Sequence, residues 1–238
     1  GTGSAVQLRG TGHVPVNARG ALRASVASMT QDGYVDRADG IDLGNDDTIA
    51  GRVSLAFQPN DDFAALITVD MTRDRENGPA MELLGIDFTD LSQLQGVVLA
   101  PPPPMAFIHN VTTAAMGPGQ PCAATDPAGN GITSNPASPN CYDSRYIGAD
   151  KSNEGTAPAY SETDVFGLSA TLDYNLSENL AIKSITAYRE LDSDFARDGD
   201  HSPHRIAQFE DTLEQDQFTQ ELQLLGTYDR MNWILGLY

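Results

Sequence analysis

Cationic side chains are scarce in this sequence. Fourteen Lys and Arg stand against 33 Asp and Glu in 238 residues, a formal net charge of −19. Nucleic acids are held by clustered Lys and Arg, so this balance argues against a nucleic-acid partner. A well-solvated surface accounts for it. Cysteine is nearly absent: Cys122 and Cys141 are too few for a disulfide framework. No apolar run approaches the roughly 20 residues of a spanning helix. The opening "GTGSAVQLRG" has no apolar core, so it is not read as a signal peptide, and an exported protein would appear here as a mature or internal stretch. Also missing are an HExxH zinc motif, a P-loop, a GxSxG elbow and a GxGxxG fingerprint. No enzymatic activity and no cofactor is expected.

What the sequence does have is long alternation. Ile49, Gly51, Val53, Leu55 and Phe57 share one side; Thr48, Arg52, Ser54 and Gln58 occupy the other. After the polar turn, Phe63, Ala65, Ile67, Val69 and Met71 continue the apolar side, against Thr68, Asp70 and Thr72. Phe166, Leu168, Ala170, Leu172, Tyr174 and Leu176 alternate with Gly167, Ser169, Thr171, Asp173 and Asn175. Period two sustained over ten or more residues is a strand signal. Globular strands average about five to six residues, whereas a tilted membrane strand needs about nine to eleven.

Eight strands are expected, at 5–14, 20–31, 47–58, 62–73, 163–176, 179–194, 213–226 and 230–238. In 179–194, Ile182 and Tyr188 oppose Ile185, Ala187 and Leu191, which leaves its outward side open. Short links at 15–19, 59–61, 177–178 and 227–229 alternate with long ones at 32–46, 74–162 and 195–212. Short turns at one end and long loops at the other are the layout of an outer-membrane barrel. The expected fold class is therefore all-β: an antiparallel up-and-down transmembrane β-barrel, about eight strands of a larger one, with long extracellular loops. Apolar Leu55, Ile67, Leu168, Leu172 and Leu224 would face outer-membrane lipid. Arg52, Ser54, Thr68, Asp70, Ser169, Thr171, Asp173, Glu221 and Gln223 would face the lumen. A complete eight-stranded outer-membrane barrel and a secreted β-rich binding protein without a transport role are the alternatives.

The 89-residue connection at 74–162 has its own features. Residues 88–100 are expected to hold a short helix with Thr89 as N-cap. Pro101–Pro104 reads as polyproline II. Residues 117–140 are loop-like in composition. In an exported protein Cys122 and Cys141 are expected to form a disulfide, worth roughly 3 kcal/mol in the chain-entropy model. In "DSDFARDGDHSPHR", Asp192, Asp194, Asp198, Asp200, His201 and His204 are weak metal candidates. The spacing is not that of an EF-hand, so an acidic solvated loop without a metal is the favoured reading. Asp46 and Asp47 are read the same way, and His13 and His109 are isolated.

The stretch from Arg23 to Ala80, with Asp32-Gly33-Tyr34-Val35-Asp36, Leu43-Gly44-Asn45-Asp46-Asp47 and the strand–turn–strand ending Asp74-Arg75, resembles the early barrel of TonB-dependent outer-membrane receptors. "LAIKSITAYRELDSDFARDGD" and "FTQELQLLGTYDRMNWILGLY" resemble later strands of that family. The resemblance covers about 1–76 and 163–238. It implies active uptake of a scarce small nutrient such as an iron–siderophore complex, in a Gram-negative outer membrane. It also implies energy coupling to TonB through an N-terminal plug, which nothing in these residues resembles. Residues 1–238 are thus expected to be part of a receptor barrel, one that neither inserts stably nor drives uptake alone.

Overall fold

A computed structural model describes residues 4–86, 123–125, 132–134 and 141–238. Its framework is one eight-stranded antiparallel sheet. In chain order the strands of the molecule are β1 (Ala5–Asn17), β2 (Gly20–Gln31), β3 (Val35–Arg37), β4 (Asp42–Leu43), β5 (Asp46–Phe57), β6 (Phe63–Glu76), β7 (Ala123–Thr125), β8 (Ile132–Ser134), β9 (Ser152–Asn153), β10 (Tyr160–Ser177), β11 (Leu180–Asp198), β12 (Gln208–Tyr228) and β13 (Met231–Leu237). The large sheet runs β1-β2-β5-β6-β10-β11-β12-β13, so every neighbour in the wall is the next wall strand in sequence. This is the up-and-down wall of a β-barrel. β1 and β13 are the two ends of that order. The eight strands therefore do not close on themselves, which sets aside the small complete barrel.

All eight expected strands are present, within a few residues of their expected ends on the turn side. The differences lie at the other end. β10 begins at Tyr160, β11 runs to Asp198 and β12 begins at Gln208, so the connection expected at 195–212 shrinks to 199–207. The extensions, 160–162, 195–198 and 208–212, do not alternate: Phe195 and Ala196 are adjacent apolar residues, and Phe209 is followed by Glu210, Asp211 and Thr212. Backbone pairing carries them: Ser161 lies opposite Phe195, and Phe195 opposite Asp211. Alternating hydrophobicity cannot reveal a strand whose residues do not alternate.

The long connections also contain structure that reads as loop in the sequence. β3 pairs with β4 antiparallel, Val35 opposite Leu43, and with β9 in parallel, Arg37 opposite Asn153. Residues 32–45 and the 77–159 connection are thereby tied into one small sheet. β7 and β8 form a two-stranded ladder. The expected helix at 88–100, the polyproline segment and Cys122 lie outside the described residues.

Among the described residues the buried core sits in these connections, together called the cap, and at the adjoining end of β11. Val35, Leu43, Cys141, Tyr142, Ala157 and Ala196 are its buried apolar members. The wall exposes large apolar side chains along its length, among them Val53, Leu55, Ile67, Leu168, Leu172 and Leu222. Gly44 shows how tightly the cap is built. Its φ is +75°, and a Cβ there would meet the Tyr34 ring at 2.6 Å and the Ala80 Cβ at 2.7 Å. Glycine alone suits both constraints.

Candidate functional site

Register sorts the wall into two faces. Arg52 lies opposite Asp70, Ser54 opposite Thr68, and Asp70 opposite Gly167. Ser169 follows on the same side, with Thr171, Asp173, Glu221 and Gln223. Every residue expected in the lumen falls on this one face. Leu55, Ile67, Leu168, Leu172 and Leu224 fall on the other. The ladder also settles β11. Lys183, Ile185, Ala187, Arg189 and Leu191 join the polar face, while Ile182, Ser184, Thr186 and Tyr188 join the apolar one.

On the polar face Asp70 is a hub. Its carboxylate lies 3.6 Å from Arg52 Nη2 and 3.2 Å from Arg189 Nη2. Arg189 reaches it over Gly167, where a Cβ would stand 3.0 Å from both partners. These are part-exposed pairs, so they order side chains more than they stabilise the sheet. Toward the turns, Lys183 Nζ and Asp173 pair at 3.1 Å. Hydroxyls meet across strands at Ser54–Thr68 and Thr11–Ser25, 3.0 and 3.2 Å apart. A hollow of about 470 Å³ opens beside this network, with Arg9, Thr11, Arg23, Ser25, Arg52 and Asp70 in its lining.

The apolar face is banded. Near the short turns it carries Phe57, Phe63, Tyr174 and Trp233. Higher up it carries Phe166, Tyr188 and Phe218, and Tyr188 stands opposite both Leu168 and Phe218. Eight positions separate Tyr174 from Phe166, about 27 Å along a strand at ~3.4 Å per residue. Tilt shortens that toward the roughly 25 Å apolar band, flanked by aromatic girdles, of outer-membrane barrels. Above the upper girdle the same face turns acidic, with Asp164, Glu190, Asp192, Glu214 and Asp216.

In the cap the expected metal candidates separate. Asp192 and Asp194 are exposed on β11, whereas Asp198 and Asp200 are 5% and 3% exposed. The reading of this stretch as solvated loop fails at these two. Asp198 accepts backbone N–H bonds from Thr156, Ala157, Asp200 and His201 at 2.9–3.2 Å. Asp200 accepts from the N–H groups of Ser202, Ile206 and Ala207 and from the Ser202 hydroxyl. A carboxylate engaged this fully is a loop organiser, with few lone pairs left for an ion. Tyr142 donates its hydroxyl to the Asp200 carbonyl at 2.7 Å, and burial among these acids pushes its pKa up to about 12. His204 lies 3.1 Å from the Tyr146 hydroxyl.

His201 has φ +54°, a left-handed conformation uncommon outside glycine that histidine, asparagine and aspartate adopt more readily than other residues. Its Nδ1 lies 3.0 Å from Asn153 Nδ2, an amide nitrogen that also donates to the Met81 carbonyl at 2.9 Å. An amide N–H can only donate, so Nδ1 accepts and the ring is neutral. Burial lowers the His201 pKa, against the opposing pull of Asp198 and Asp200. The unfolded ring then takes up its proton at higher pH than the folded one. Cap stability from His201 is complete above about pH 6.5 and declines as pH falls toward the lowered folded value. Limited proteolysis of the cap should therefore accelerate on acidification. His201→Asn should flatten that dependence while tolerating the left-handed backbone.

Asn153, Tyr142 and Arg37 carry no motif and are not legible as cap residues in the sequence. Arg37 is buried, pairs with Asp39, and leaves Nη1 without a partner. Asp46 and Asp47 separate: Asp46 joins Asp74 and Glu76 at the cap end of the polar face, with ligand oxygens within 4.8 Å of one another. Thr48 Oγ1 donates to Asp46 at 2.8 Å.

No family model matches the chain, and no curated protein matches it. Solved structures share its fold. The siderophore receptor PiuA from Acinetobacter baumannii superposes with a TM-score of 0.55 at 12% identity, over 96% of this chain and 27% of that one. The open form of the ferric-catecholate import receptor Fiu from E. coli K12 gives 0.54 at 12% identity, over 95% and 30%. The ferric yersiniabactin uptake receptor FyuA from Yersinia pestis gives 0.53 at 13% identity, over 98% and 28%. The chain thus spans less than a third of each receptor, and the likeness is one of fold.

Proposed function

We propose that the chain is a wall segment of an outer-membrane active-transport receptor, taking up a scarce nutrient such as an iron–siderophore complex with energy supplied through TonB. The observation that carries this reading is the division of one continuous wall into a banded apolar face and a polar, charge-bearing face. Added to it is a cap that, among the described residues, stands at the end opposite the short turns. The apolar band contacts lipid and the polar face lines a lumen. The cap loops face the exterior of a Gram-negative cell, where a ligand is first met. The fold shared with siderophore receptors supports this role, as does the resemblance of 1–76 and 163–238 to TonB-dependent receptors. The segment carries no chemistry of its own, needs no cofactor and meets TonB only through a plug region beyond these residues.

Deleting the gene should abolish uptake of radiolabelled iron delivered as siderophore complexes under iron limitation, and collapsing the proton-motive force should do the same. Unchanged uptake across a panel of such complexes, vitamin B12 and oligosaccharides would defeat the transport reading. In the exported receptor the expected Cys122–Cys141 bridge should leave no free thiol in either residue. Mass spectrometry after alkylation of unreduced, denatured protein checks this, and quantitative labelling of both cysteines would refute it.

A further inference from the structure

In a chain of formal charge −19, four of the fourteen Lys and Arg fall on one stretch of the polar face. Arg9, Arg23 and Arg52 line one hollow with Asp70, on adjoining register rows, and Arg189 reaches the same carboxylate from the side of β11. Asp70 is shared by Arg52 and Arg189. Among the described residues Arg9 and Arg23 have no carboxylate partner. The other acids of this face lie away from the patch, at the cap end (Asp46, Asp74, Glu76) or toward the turns (Asp173, Glu221). Between the arginines the face carries small side chains, Ser25, Ala27, Ala50 and Ser54, so the long guanidinium arms surround open space. The hollow there, about 470 Å³, lies in the range of small-molecule sites.

We propose that this hollow is a binding station for a small, multiply charged oxyanion. Guanidinium groups present paired N–H donors that match carboxylate and phosphate oxygens two at a time. An anion seated between Arg9, Arg23 and Arg52 relieves the repulsion of clustered like charges, which no protein carboxylate on this patch does for Arg9 and Arg23. Asp70 holds Arg52 and Arg189 toward its own side of the hollow and sets the limit of the anion's footprint. The proposal rests on the transport reading and narrows it: the solute handled at this face is anionic, not neutral or cationic.

The test is isothermal titration of the full-length receptor in detergent, with citrate and inorganic pyrophosphate as probes, at low and high NaCl. The expected result is salt-sensitive binding of at least one probe. Arg23→Gln and Arg52→Gln should each weaken it by about tenfold, the loss expected from one charge-assisted contact. Arg73→Gln, on the opposite face, should leave it unchanged. Neither probe binding, or the double variant Arg23→Gln/Arg52→Gln binding like the parent, would overturn the station. So would phenylglyoxal labelling that shows Arg9, Arg23 and Arg52 shielded by another part of the protein. Arginine-dependent binding combined with uptake that survives gene deletion would defeat the transport reading and leave the station standing.

Discussion

Replacing Ile67 with Arg is expected to cost the barrel about 2–4 kcal/mol in a bilayer, while Arg at the next residue, Thr68, is expected to be mild. Ile67 lies between Leu55 on β5 and Ala170 on β10, on the face that carries Leu168 and Leu172. It sits between the lower aromatic group, Phe63 and Tyr174, and the upper one, Phe166 and Tyr188. On the proposed outer-membrane reading a guanidinium there has hydrocarbon on its outer side, and its register row carries no carboxylate. Thr68 faces the other way, beside Ser54 and two rungs from the Arg52–Asp70 pair, where water and charge already are. The contrast between neighbours is the measurement that matters, because a side chain's face inverts with each residue along a strand. Equilibrium unfolding of the full-length barrel in lipid vesicles reads both. Equal losses at the two positions would mean that the faces are assigned wrongly, or that the wall has water on both sides.

Why the wall was legible and the cap was not follows from where each gets its stability. In β5, Ile49, Val53 and Leu55 must share a side because one side meets an apolar medium, so the period of two is written into consecutive residues. β11 already strains that logic. Ser184 and Thr186 fall on its apolar face and Ile185 and Ala187 on its polar face, so its own sequence is ambiguous. Only pairing with β10 and β12, whose patterns are clear, orients it. The cap is harder still. Arg37 and Asn153 are paired residues of one small sheet, yet more than a hundred positions apart. The local sequence around each is turn-like, and nothing nearby shows what will cover it. Asp198 and Asp200 read as solvated because carboxylates usually are; their burial depends on backbone donors brought by the distant 153–157 segment and by the returning chain at 202–207. The polar-face cations were individually visible in the sequence. Their convergence was not, because it depends on which rungs of β1, β2, β5 and β11 align.

Asp198→Ala should loosen the cap by about 2–6 kcal/mol, taking 1–3 kcal/mol for each buried donor left without a partner. The carboxylate accepts four backbone N–H bonds, and two of its donors, Ala157 and Asp200, are themselves buried. Alanine leaves those two N–H groups buried with no acceptor in the carboxylate's place. Asparagine is a partial substitute, because its oxygen can serve one pair of donors while its amide nitrogen confronts the other. The damage should spread, since Asp198 joins segments from two different connections: Thr156 and Ala157 arrive from the 77–159 chain, Asp200 and His201 from the 199–207 chain. The wall should be spared, because β10 and β11 are held by a backbone ladder, unbroken from the Tyr160–Ala196 pair to the Asn175–Ala181 pair, that does not involve this carboxylate. Asp192, exposed on the same strand, is the control, and its replacement by alanine should stay within about 0.5 kcal/mol. Hydrogen exchange of the folded full-length barrel separates the two levels. Protection should fall at the amides of residues 156, 157, 200 and 201 in Asp198→Ala while wall amides of β10 exchange as before. Unaltered protection at those four amides would show that the carboxylate does not hold the cap together.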